Sequence, residues 1–185
     1  MISQRPGHTV VVRRPGRELM AEKSLQERLQ ALPRCLRIAF AVRCARRVQP
    51  LTILLSSDRV ISIDYCLTEA EKAAGTVECL SMVVPSRHHS EVPVSVADAL
   101  NCACAAVETS DLDDEKSTQA AYESAGLLRS ASVHIAYDTD CDVSSAIAYS
   151  RAANFADLAI LEPVSKPVCR AFKRVAAGWS FSTTV

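Results

Sequence analysis

Glycine is scarce in this chain, with 5 in 185 residues, too few for the tight turns that an all-β fold repeats along its length. Aromatic side chains are scarce too, at 5%, so a core must be built from Ala, Leu, Val, Ile and Cys within an apolar fraction of 49%. Both shortages point to helices. No segment approaches the ~20 consecutive apolar residues of a membrane span. Near the start only Val10-Val11-Val12 is a continuous apolar run, too short for the hydrophobic part of a secretory leader. The expectation is a cytoplasmic chain, outside any membrane, with its thiols reduced.

The familiar catalytic signatures are missing as well. There is no G-x-S-x-G turn, no glycine-rich phosphate loop and no H-E-x-x-H pair. Structural zinc sites bring in cysteines spaced as C-x₂₋₄-C, and none of the eight cysteines is so spaced. Cys102 and Cys104 stand two residues apart, which on a helix points their thiols about 200° away from each other. Cys35 and Cys44 likewise fall on opposite sides of one helix. Such cysteines pack as small hydrophobes. Asp138, Asp140 and Asp142 match positions 1, 3 and 5 of an EF-hand loop. However, Val143 stands where the loop needs glycine, and Tyr149 stands where it needs a bidentate glutamate. That stretch predicts a solvated turn with Asp142 capping the next helix. No metal, cofactor or catalytic residue is expected from these patterns.

What the chain does have is a charge asymmetry under a net charge of zero. Residues 1–50 carry 11 Lys/Arg against 3 Asp/Glu, whereas residues 51–185 carry 10 against 18. The balance of +8 against −8 suits a basic segment docked on an acidic body, or two faces meant for different partners. Residues 1–17, MISQRPGHTVVVRRPGR, hold four arginines, two prolines, two glycines and no acid. They predict an extended basic arm.

Residues 18–185 predict one all-α domain, a bundle of about seven helices. Leu19, Leu25, Leu29 and Leu32 mark the first helix. Pro33 suits the first turn of a second, where Leu36, Phe40, Cys44 and Val48 follow at i, i+4 steps. Its middle, Ile38 to Val42, is apolar all round and predicts a buried central helix. Its arginines gather at the two ends, and Pro50 is expected to stop it. A third helix is expected from a Ser56–Asp58 cap through Ala74, with Gly75 just beyond. Small apolar residues fill a fourth, Ser95 to Glu108. An acidic link, Ser110 to Ser117, leads to a long helix ending near Tyr137. Another follows over 143–161, and Pro163 and Pro167 bracket the start of a last short helix over 168–177.

The acidic link is the sharpest candidate site. From Glu108 to Glu123 six acids face one Lys116, a density found in solvated loops or in surfaces that steer a basic partner. Glu108, Asp111, Asp113, Asp114 and Glu115 are the candidate contacts. Two alternatives remain open. One is an enzyme assembled from distant residues, with His134 and nearby Asp138 or Cys141 as first suspects. The other is a nucleic-acid binder acting through Arg5, Arg13, Arg14 and Arg17, although no aromatic residues interleave with them for base stacking.

The stretch from Arg28 to Leu51 resembles the opening signature of the YjaG-like proteins, a bacterial helical family without an assigned activity. The matching residues are Leu32-Pro33, Ala39-Phe40-Ala41, Cys44, Arg46-Arg47 and Pro50. SVADALNCACAAVETSDLDDE resembles the same family's Ala-rich helix and acidic link, and VPSRHHSEVPVS resembles the loop before it. Arg46 departs from the family, where Glu often stands. The pattern is also similar to Ala-rich immunity proteins of bacterial polymorphic toxin systems. This resemblance, over about residues 28–160, implies an all-α fold and, on the immunity side, a binder that neutralises a cognate protein toxin. It carries over no catalytic residue.

Overall fold

The computed structural model describes residues 24–75, Pro85 and residues 92–178, with side chains through Ser165. The expected arm, the helix start near Leu19, most of the 83–95 connection, His8, His88, His89, Cys79 and the Cys169 side chain lie outside the described residues. Among the described residues there is no strand, and the helices form one all-α bundle. In chain order these are α1 (Leu25–Gln30), α2 (Arg34–Val48), a 3-10 segment (Gln49–Leu54) and α3 (Ser57–Gly75). They are followed by α4 (Val94–Asp111), α5 (Asp114–Asp138) and α6 (Val143–Gly178).

Local chemistry sets most boundaries. A capping box starts α1: the Glu27 N–H donates to Ser24 Oγ (3.3 Å), and the Ser24 N–H donates to Glu27 Oε2 (2.7 Å). Pro33 sits one residue earlier than expected, as the N-cap of α2, where its carbonyl accepts from Leu36 and Arg37. Pro50 does not stop the helical path. It lies in the first turn of the 3-10 segment, where a missing N–H costs nothing. Gly75 is the last residue of α3 instead of the first beyond it.

Two expected helices prove to be one. Pro163 and Pro167 were expected to separate helices over 143–161 and 168–177, yet α6 runs unbroken from Val143 to Gly178. Each proline removes one i→i−4 hydrogen bond. Spaced by four residues they share a face, so the gaps fall on one side and bonds on the other sides carry the helix through. The described chain therefore has six α-helices, not about seven.

The expectation of a central α2 holds. It packs on α3, α4, α5 and α6, with Phe40, Ala41 and Cys44 fully buried. The broadest contact in the bundle is between α4 and α5. There Ala99, Ala103 and Ala106 and the small face of α5 (Ala121, Ser124, Ala125, Ala131) are all buried, and small side chains let two helix backbones approach closely. Cys102 Sγ donates across this seam to the Ser124 carbonyl (3.3 Å). Ile63, Leu67 and Ala70 recur at i, i+4 and i+7 on α3 and are buried with the same core.

The Asp138–Asp142 stretch is, as expected, an exposed turn between helices. Asp140 takes the left-handed conformation (φ 53°). The Cys141 N–H reaches the Ala136 carbonyl (2.7 Å), and the Asp140 N–H reaches the Tyr137 carbonyl (3.3 Å), the paired bonds of a Schellman motif. Asp142 then caps α6 as expected, accepting from the Ser144 N–H, the Ser145 N–H and the Ser145 hydroxyl. These bonds hold its carboxyl below the usual carboxylate range, the Ser145 hydroxyl contributing most.

Candidate functional site

The acidic run is shorter as a link, and more ordered, than its composition suggests. Only Leu112 and Asp113 separate α4 from α5, so the run is made of helix ends. The Leu112 N–H closes α4 on the Glu108 carbonyl (3.1 Å). Asp113 is the N-cap of α5, its Oδ1 accepting from the Lys116 N–H (3.0 Å). That backbone bond, with the Lys116 ammonium 3.4 Å from Asp113 Oδ2, holds the Asp113 carboxyl below its ordinary range. Asp114 and Glu115 lie in the first turn, where negative charge complements the helix macrodipole.

The underside of the corner is tied down. Ser110 and Ser117 are buried; Ser117 Oγ donates to the Thr109 carbonyl (3.1 Å) and Ser110 Oγ to the Val107 carbonyl (2.6 Å). Two arginines of α2 clamp it from below. Arg34 donates to the Ser110 carbonyl, and Arg37 donates to Asp114 and to the Leu32 carbonyl (3.0 Å). Arg37 is nearly fully buried while the Asp114 side chain is 83% exposed. Asp111, Asp113, Asp114 and Glu115 are exposed around the corner, and Glu108 sits half-buried one turn back on α4. Asp113, Asp114 and Glu115 also border a polar groove of about 790 Å³, walled by Gln26 and Gln30 of α1 and by Gln119. Thus three of the five candidate residues share the groove, and all five share the corner. The three glutamines and Arg37, from helices far apart in sequence, carried no signal that could have marked them.

The arginines of α2 are engaged within the bundle. At its far end Arg43 Nε donates to Asp157 Oδ1 (2.7 Å), and Arg47 Nη2 grips both Asp157 oxygens (2.9 and 3.0 Å). Asp157, on α6, is fully buried. Arg46 turns to α3, where Glu71 and Asp64 accept from it. The far end of α2 is therefore ion-paired and still open to solvent, with Arg43 and Arg47 exposed.

His134 does not pair with the residues its sequence neighbourhood suggested. Its Nδ1 lies 2.9 Å from Asp98 Oδ2, a carboxylate from α4, and Ser130 Oγ donates to that same oxygen (2.7 Å). Asp138 is exposed at the end of α5, and Cys141 Sγ lies on the Thr139 carbonyl (3.7 Å).

The thiols divide by burial. Cys44, Cys102 and Cys104 are fully buried, Cys66 nearly so, Cys35 half-buried and Cys141 exposed. Burial, reinforced by Asp157, pushes the Cys44 thiol up to about 12, and burial raises that of Cys102 as well. Cys102 bonds to Ser124 and Cys104 to the Pro85 carbonyl (3.2 Å), in divergent directions. Among the described residues no three His, Cys, Asp or Glu side chains are grouped to hold a metal ion. No described helix is long and apolar enough to cross a membrane.

Comparison with known proteins finds no matching family model, no matching curated protein and no matching solved structure.

Proposed function

We propose that this chain is a non-catalytic bacterial binding protein of immunity type, acting in the cytoplasm. It neutralises a cognate basic protein toxin by covering it with the α4–α5 corner. The observation that carries the reading is the construction of that corner. Four exposed carboxylates stand on helix ends whose undersides are buried and clamped by Arg34 and Arg37. A rigid acidic edge presents its charge without an ordering cost on binding, and such charge acts mainly by speeding association with a basic surface. Occlusion of this kind needs no cofactor.

The enzyme alternative now centres on Asp98 and His134 rather than on Asp138 or Cys141. Ser130 donates to the carboxylate and not to the imidazole, so the arrangement does not activate that hydroxyl as a nucleophile. This favours binding over catalysis. The nucleic-acid alternative rests on the arm, outside the described residues.

The test is a capture from native bacterial lysate with the wild type and with Asp111→Lys/Glu115→Lys, washed at low and high salt. These two positions leave the Asp113 cap and the Arg37–Asp114 pair intact. The expected result is one stoichiometric basic protein held by the wild type, weakened by salt and lost by the variant. Equal retention by both proteins would remove the corner as the contact.

A further inference from the structure

A second site lies at the other end of α2. Helices α3 and α6 both pack on α2 but, among the described residues, make at most marginal contact with each other. Between them is a cleft of about 570 Å³ floored by α2, within the range of small-molecule sites. Its apolar lining comes from Ala39, Val42, Ala74 and Leu161. Arg43, Arg46 and Arg47 supply three guanidinium groups, and Glu71 the opposing charge.

These arginines are not equally committed. Arg46 donates to Glu71, Asp64, Gln49 and Thr68. Arg47 grips both oxygens of Asp157. Arg43 gives only Nε to Asp157; among the described residues its Nη1 and Nη2 donate to nothing, and its side chain is 45% exposed. Two guanidinium groups thus share the single buried carboxylate of Asp157 while Arg46 holds two carboxylates, so the charges balance. Among the described residues the terminal nitrogens of Arg43 are left without a protein acceptor beside an apolar wall.

We propose that this cleft binds a small monocarboxylate with a short apolar tail. The carboxylate accepts from the terminal nitrogens of Arg43, a fork that matches two oxygens in a plane. The tail lies along Ala39, Val42, Ala74 and Leu161. Glu71 at the edge selects against a second negative charge, which disfavours phosphates. This site is independent of the acidic corner and does not rest on its function.

The test is calorimetric titration of the full-length protein with octanoate, octanol and inorganic phosphate. Octanoate is expected to bind with a stoichiometry of one. Octanol, with the same tail and no charge, is expected to bind at least about tenfold more weakly, and phosphate should give no heat. Arg43→Gln should weaken octanoate by a similar factor, while Ala74→Leu, which fills the wall and touches no ion pair, should abolish binding with the guanidinium groups intact. If Arg43→Gln fails to fold, Ala74→Leu decides. Equal affinity for octanol, competition by phosphate, or undiminished binding by Ala74→Leu would each overturn the site. So would a protein that takes up no octanoate.

Discussion

Asp157 and Asp114 each accept from arginines of α2, and the two pairings are inverted. At the α6 seam the carboxylate is fully buried and its arginines, Arg43 and Arg47, are 45% and 28% exposed. At the acidic corner the arginine is buried, at 5%, and the carboxylate stands in water at 83%. An ion pair is governed by its drier member, because that group has no solvent to fall back on. Asp157 is therefore a structural charge, whereas Asp114 anchors Arg37 from outside and still faces solvent. Helix α2 joins the two arrangements.

The largest effect should come from stranding the buried carboxylate. Arg43→Ala/Arg47→Ala is expected to cost about 3–5 kcal/mol in urea unfolding. Asp157→Asn should cost clearly less, since it releases two arginines that can turn to water. Equal losses would contradict the inverted reading. At the corner, Asp114→Ala leaves Arg37 buried with only the Leu32 carbonyl, and a loss of about 1–3 kcal/mol is expected. The exposed pair Arg46–Asp64 provides the contrast, with Asp64→Ala costing less than about 1 kcal/mol.

The helix caps give a pH dependence. Asp113 and Asp142 have carboxyls lowered by their capping bonds. Their contribution is present above the unfolded carboxylate value and is lost as pH falls through the lower folded value. Acid unfolding followed by circular dichroism should flatten in Asp113→Asn and Asp142→Asn across that window. A smaller change should come from Asp140→Gly, which removes a side chain from a left-handed position and is expected to stabilise by roughly 0.5 kcal/mol. Among the described cysteines, thiol labelling should find Cys141 fast and Cys44, Cys102 and Cys104 silent until unfolding.

Much of this was legible because burial follows periodicity. The all-round apolar centre of α2, the i, i+4, i+7 series on α3 and the cap at Asp142 are local patterns that packing reinforces. The acidic run read as a loop because its charge density masked a local signal, an N-cap aspartate followed by two acids in a first turn. What stayed hidden is long-range. Asp157 sits in RAANFADLAIL as an unremarkable polar residue, and its burial is explained only by arginines more than 100 positions earlier. Asp98 and His134 are 36 apart, and the glutamine wall of the groove comes from α1 and α5. The two prolines of α6 misled for a different reason: a breaker rule treats each residue singly, whereas their shared face confines the damage.

The most direct test of the corner is the association rate of the captured partner as a function of ionic strength, for wild type and Asp111→Lys/Glu115→Lys. The expected result is a wild-type rate that falls steeply with salt, a variant rate that is low and nearly flat, and dissociation rates that barely differ. A wild-type association rate indifferent to salt, or a variant that associates as fast as the wild type, would contradict the acidic corner as the partner surface.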